Sequence, residues 1–133
     1  MPEISRQVSQ LPLEVRNLIF DPQSLLPRGE GLNLTLQAIE DLREGKRGLS
    51  VITFETANRR PSFLKVKGDS GVDYLFPHPK YHRVNQHNRG TFETIFVPTP
   101  KEVKNPTQYK LVMPAKLRDN TLSEQGVIEW LDA

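Results

Sequence analysis

The sequence predicts an α+β fold with N-terminal helices, an antiparallel meander of about five strands and a short C-terminal helix. Two patterns support this prediction. Apolar residues recur at helical spacing through the first 45 positions, whereas from position 49 onward they alternate with polar residues. At 133 residues, of which 36% are hydrophobic, the chain is long enough to bury a core and is expected to form one domain, residues 1–133.

Residues 1–45 form the predicted helical segment. Ile4, Val8 and Leu11 share one helical face, and Pro12 interrupts that helix. A second helix follows, and its apolar positions are Leu13, Val15, Leu18 and Ile19.

The clearest helical pattern is LNLTLQAIEDLREG, residues 32–45. Its apolar stripe consists of Leu32, Leu36, Ile39 and Leu42. Asn33 is a candidate N-terminal cap, and Gly45 is typical of a helix C-terminus. The sequence therefore predicts a long third helix here.

Residues 46–118 are predicted to form a basic β-sheet. LSVITFET (49–56) alternates apolar and polar residues, as a strand does. SFLKVK and VDYLF flank the turn sequence GDSG and predict a hairpin. KYHRVNQ and TFETIFV predict a second hairpin, and YKLVM (109–113) predicts a last strand.

Residues 119–133 are predicted to form an acidic tail helix. Thr121 and Glu124 match a capping box, and the residues that follow can form a short amphipathic helix. This helix would carry Val127, Trp130 and Leu131.

The net charge of +2 conceals a strong segregation of charge along the chain. Residues 1–45 carry 4 basic and 7 acidic residues, and residues 119–133 carry 4 acidic residues and none that are basic. Residues 46–118 carry 14 basic and 5 acidic residues, a net charge of +9. Such segregation is typical of proteins that bind a polyanion.

The GDSG sequence at residues 68–71 resembles the nucleophile motif of trypsin-like serine proteases over four residues. Val72 replaces the next glycine of that motif, and every histidine lies downstream of Ser70. Gly, Asp and Ser are also the residues that tight turns prefer. The sequence therefore predicts a turn here.

The leading hypothesis is a non-catalytic domain that binds a polyanion such as single-stranded nucleic acid. Basic grooves combined with exposed aromatic rings are typical of proteins that bind single strands. Residues 46–118 contain both kinds of side chain. The predicted contacts are Phe63 and Tyr81 on bases, with Lys65, Lys67, Arg83 and Arg89 on phosphates.

A first alternative is haem or a divalent metal bound by His78, His82 and His87. No acidic residue lies between positions 74 and 92 to complete a metal site. On a strand, His78 and His82 would lie about 13 Å apart, too far for one ion. No cofactor is therefore predicted, although an axial haem ligand needs only one or two histidines.

A second alternative is a protein-interaction or assembly module. Here Val127, Trp130 and Leu131 of the tail helix would dock on a protein partner. No sequence motif marks an enzyme, and the absence of cysteine excludes disulfides and thiolate sites. The N-terminus lacks the features of a signal peptide and apolar runs reach only three residues, so a cytoplasmic protein with no membrane contact is expected.

Overall fold

The computed structural model of the chain describes residues 10–46, 48–68, 70–80, 84, 88–99 and 108–131. Within them, the α-helices are α1 (Leu13–Phe20), α2 (Leu36–Arg43) and α3 (Arg89–Ile95). The strands are β1 (Glu30–Leu34), β2 (Phe54–Thr56), β3 (Phe63–Lys67), β4 (Asp73–Pro77), β5 (Phe96–Thr99), β6 (Tyr109–Met113), β7 (Ala115–Arg118), β8 (Thr121–Glu124) and β9 (Gly126–Trp130). The 3₁₀ segments are Pro22–Leu25 and Leu49–Val51. The described fold is mostly β, and the predicted α+β arrangement is wrong.

Six strands form an antiparallel sheet in the order β2-β1-β3-β4-β7-β8. The sheet curls until its two edge strands meet at one corner. There the Phe54 N–H donates to Asn120 O at 2.8 Å, and the Leu122 N–H donates to Ile52 O at 2.9 Å. These bonds satisfy backbone groups that an open sheet edge would leave unpaired.

The connection from β2 to β3 passes across β1. Both strands are antiparallel to β1 and lie on either side of it, so residues 57–62 must cross that strand. Gly31 makes the crossing possible, because a Cβ there would lie 2.6 Å from Ala57 O and 2.8 Å from Pro61 Cγ. The crossing loop therefore has a defined position on the sheet.

A bent hairpin links this sheet to a second, three-stranded sheet of order β5-β9-β6. Strands β7 and β8 pair in the first sheet, while their continuations β6 and β9 pair in the second. The bends lie at Pro114 and Gln125, between the paired segments. Strand β5 pairs with β9 in parallel.

Apolar side chains form two clusters on opposite faces of the six-stranded sheet. The inner cluster includes Leu32, Phe63 and Leu75 together with Phe96 and Ile128 of the second sheet. The outer cluster packs α1 onto the sheet and includes Leu18, Leu64 and Phe76. Because neighbouring strand residues point to opposite faces, Phe63 and Leu64 are buried in different clusters.

Several local predictions are confirmed. Helix α1 buries Val15, Leu18 and Ile19, and it begins directly after Pro12. Strands β3 and β4 form the predicted hairpin. Ser70 and Gly71 have φ angles of 60° and 78°, as a tight turn requires. The segment YKLVM is β6.

The long third helix is a wrong prediction, because residues 30–34 form β1. Pairing with both β2 and β3 satisfies this segment's backbone and buries Leu32 in the inner cluster. Helix α2 begins only at Leu36, and its cap is Thr35, whose Oγ1 accepts from the Ala38 N–H at 3.1 Å. Asn33 instead accepts from the Ser62 N–H at 2.7 Å.

The second predicted hairpin and the tail helix are also corrected. Residues 89–95 form α3 in place of a strand, and residues 81–83 and 85–87 lie outside the described part of the chain. The tail forms β8 and β9. In β9, Gly126, Ile128 and Trp130 are buried at alternating positions, because this strand lies between β5 and β6. None of the helices described here combines the length and apolarity needed to cross a membrane.

Candidate binding surface

Phe63, predicted to stack on a base, lies in the protein interior. Only 3% of the surface of Phe63 is exposed to solvent. The ring meets Phe54 edge-on at 5.5 Å and stacks with Phe96 at 6.4 Å. Both neighbours belong to the inner cluster, so no face of this ring is open to a ligand.

Lys65 lies on the same strand and is nearly buried, with 11% of its side chain exposed. Its Nζ donates to Asn120 Oδ1 at 3.0 Å and lies 3.4 Å from Glu30 Oε2. The Thr56 hydroxyl donates to Glu30 Oε1 at 3.0 Å. This hydrogen bond, with the positive charges of Lys65 and Lys67, lowers the pKa of Glu30 against the opposing effect of burial. Lys65 is therefore already compensated by a carboxylate.

Other strand lysines also face acidic residues. Lys116 forms a salt bridge with Glu124 across β7 and β8, at 3.0 Å. Lys67 is exposed and lies opposite Asp73 in the β3–β4 register, but the two form no salt bridge. Acidic residues of the tail thus lie on the sheet, in keeping with a structural origin for part of the charge segregation.

Two loops at one end of the sheet carry a different set of basic residues. Arg59 and Arg60 lie in the crossing loop, residues 57–62, and Lys80 follows β4; all three are exposed. The His78 N–H donates to Ser62 O at 2.9 Å and joins the two loops. Neither residues 57–62 nor residues 78–80 contain an acidic residue. We call Arg59, Arg60 and Lys80 the loop cluster.

Arg59 and Arg60 belong to the basic segment 46–118, but the sequence pattern predicts no role for them. The sequence feature that indicates a basic loop is the pair of arginines directly before Pro61, because proline commonly marks the end of a strand. Arg60 has a φ of 45°, which non-glycine residues adopt uncommonly. The loop cluster depends on the crossing of β1, which the sequence pattern does not reveal.

The remaining predicted phosphate and base contacts lie elsewhere. Arg89 is on α3, where its Nε donates to Glu93 Oε1 at 3.2 Å. Lys67 lies at the far end of β3 from the loop cluster, about 13 Å along the strand. Tyr81 and Arg83 lie outside the described residues. The structure therefore does not bring the predicted set together on one surface.

His78 is the one histidine within the described residues. It is buried, and its Nδ1 accepts from the Lys80 N–H at 3.0 Å. Burial and then the charge of Lys80 lower the pKa of His78. His82 and His87 lie outside the described residues, and the described part of the chain contains no group of three residues arranged to hold a metal.

The predicted docking residues lie on and after β9. Trp130 is 2% exposed and packs against Phe92 and Tyr109 at 6.1 and 6.4 Å. Val127 packs on the outer cluster. Leu131 is 53% exposed, and its N–H donates to Gln108 O at 3.0 Å. Leu131 is therefore the most exposed of the three predicted docking residues.

Leu131 also lines a groove of about 570 Å³ between α1 and β6. Leu18 and Ile19 of α1 line it together with Pro77, at the end of β4, and Pro79. The sequence alone does not reveal this groove, because its lining residues come from segments that are distant along the chain.

Comparisons with protein-family models, curated proteins and solved structures find no match to this chain.

Proposed function

We propose that this chain is a cytoplasmic, non-catalytic binding domain whose loop cluster contacts a polyanion, with single-stranded nucleic acid as the ligand class. The observation that carries the proposal is the hydrogen bond from the His78 N–H to Ser62 O, which holds the two basic loops together. Arg59, Arg60 and Lys80 are the proposed phosphate contacts.

Charge compensation elsewhere supports this choice of site. A phosphate at Lys65 or Lys116 would compete with Glu30 or Glu124, which already lie within 3.4 and 3.0 Å of these lysines. No acidic side chain of the described residues forms a salt bridge with Arg59 or Arg60. Arginine also offers two parallel hydrogen bonds to a phosphate.

Tyr81 and Arg83 remain predicted contacts. They follow Lys80 directly in the sequence. Phe63 is not part of the proposed site, since its ring is buried. Base stacking in this proposal therefore depends on Tyr81.

Binding of a fluorescein-labelled oligothymidylate, followed by fluorescence anisotropy, tests the proposal. With Arg83, four phosphate contacts on a single strand predict a slope of about −2.8 for log affinity against log salt. Replacing Arg59 and Arg60 together with alanine removes two contacts and should reduce the slope to about −1.4.

The matched control removes two lysines that already form salt bridges, Lys46 with Asp41 and Lys116 with Glu124. This double alanine variant has the same net charge as the arginine variant. We expect it to bind nearly as the unmodified protein does. Equal loss of affinity in both variants, or no salt-dependent binding by the unmodified protein, would refute the proposal.

A further inference from the structure

The groove between α1 and β6 differs in chemistry from the loop cluster. Its lining is mainly apolar: Leu18, Ile19 and Leu25 are largely buried, Leu111 is half-buried and Leu131 is exposed, while Gln23 and Gln108 are polar members. Its volume, about 570 Å³, is within the usual range of about 300–1,000 Å³ for binding pockets. Such a lining stabilises a ligand by removing apolar surface from water.

The groove is poorly suited to a nucleobase. Bases bind single-strand proteins by stacking on exposed rings. Tyr109 is the aromatic residue of the described lining, and its ring already packs on Phe92 at 5.0 Å and on Trp130 at 6.4 Å. Aliphatic side chains fit this lining better than a flat ring does.

Charge at the groove favours an acidic ligand. Lys110 is the charged residue of the described lining. Lys110 lies opposite Glu129 in register, yet the two form no salt bridge. No acidic residue belongs to the described lining. A carboxylate beside an apolar anchor would therefore complement this surface.

Leu131 strengthens the case for a protein ligand. Its backbone is fixed by the hydrogen bond to Gln108 O at 3.0 Å, while 53% of the residue remains exposed at the groove. A fixed exposed leucine costs little ordering entropy when a partner covers it.

We propose that this groove binds a segment of a partner protein that carries an aliphatic anchor residue flanked by Asp or Glu. The aliphatic side chain packs between α1 and β6, and a flanking carboxylate faces Lys110. This inference does not depend on the loop cluster, because Arg59, Arg60 and Lys80 do not line the groove.

Selection from a random peptide display library on the full chain tests the inference. The expected peptides contain Leu, Ile or Val next to acidic residues. Leu131→Asp should weaken a selected peptide at least about tenfold, and Lys110→Glu about threefold or more. Leu13→Asp is the matched control, because Leu13 is also exposed, at 63%, but does not line the groove.

Several outcomes would overturn the inference. The library yields no peptide, it yields basic or aromatic peptides, or Leu131→Asp and Leu13→Asp weaken the selected peptide equally. Thermal unfolding of both variants checks that each is folded. If Leu131→Asp instead weakens oligothymidylate, the groove belongs to the nucleic acid and the peptide inference fails. Peptide binding that survives alanine at Arg59 and Arg60 separates this inference from the polyanion proposal.

Discussion

Basic residues on the strands and basic residues in the loops differ in what faces them. Lys65 and Lys116 each lie beside a carboxylate of a neighbouring strand, at 3.4 and 3.0 Å. Arg59 and Arg60 lie in a loop that contains no acidic residue. Strand pairing places side chains of adjacent strands about 5 Å apart, so opposite charges can meet there at little cost. The crossing loop is not paired with a neighbouring strand, so no carboxylate of the described strands is placed opposite Arg59 and Arg60, and both can contact a ligand.

The largest expected effect tests whether β3 is a structural strand or a binding strand. Phe63→Ala should lower the free energy of unfolding by about 3–5 kcal/mol, because the ring is buried between Phe54 and Phe96. Urea unfolding measures this loss. Oligothymidylate affinity, measured where the variant is still folded, should be unchanged. Lost affinity with unchanged stability would mean that Phe63 contacts the ligand.

A smaller effect tests whether the position of the loop matters as well as its charge. In Gly31→Ala, the new Cβ would meet Ala57 O at 2.6 Å and Pro61 at 2.8 Å, so the crossing loop must shift. We expect a loss of about 1–3 kcal/mol in stability, together with weaker oligothymidylate binding at unchanged net charge.

Gly48→Ala is the control for that substitution, because the nearest atom to its new Cβ is Ser50 Oγ at 3.8 Å. Both glycines lie outside the loop cluster, so neither substitution removes a charge. Binding by Gly31→Ala that equals binding by Gly48→Ala would show that the loop's position is unimportant.

The smallest effect tests charge compensation on the strands. The pKa of Glu30 is lowered from its ordinary value of 4.5. The interactions of its carboxylate therefore stabilise the fold fully above about pH 4.5, and this stabilisation is lost as the pH falls through the lowered pKa. Glu30→Gln should therefore cost about 1 kcal/mol or less at neutral pH. The difference from the unmodified protein should shrink in acid, as urea unfolding at several pH values would show.

Glu14→Gln provides the comparison, since Glu14 and Arg28 lie 3.6 Å apart and both side chains are well exposed. We expect a smaller loss of stability in this variant than in Glu30→Gln. A larger loss would contradict the importance assigned to the Lys65–Glu30 contact.

Local patterns predicted the elements whose partners are close in sequence. Helix α1 follows Pro12 and has its own apolar stripe, and the β3–β4 hairpin has its own turn residues. The local pattern did not predict strand β1, because the leucines of residues 30–34 fit a helical stripe as well as a strand. Pairing with β2 and β3, whose partner residues lie 20 or more positions away, decided between the two.

The candidate site was predicted less well than the fold. Strand alternation places Lys65 and Phe63 on one face of β3, which predicts a shared binding surface, but that face carries the inner cluster. The loop cluster and the groove join segments that are distant along the chain. Their composition was visible in the sequence, but their proximity was not.

The sequence by itself determined the segregation of charge, the absence of cysteine chemistry and the local elements α1, β3, β4 and β6. These depend on composition or on spacing within a few residues. Only the tertiary structure decided that the tail is a pair of strands, that Lys65 faces Glu30, and that two basic loops meet at Ser62 and His78. Each of these outcomes depends on which distant strands pair, and short apolar segments are compatible with more than one pairing.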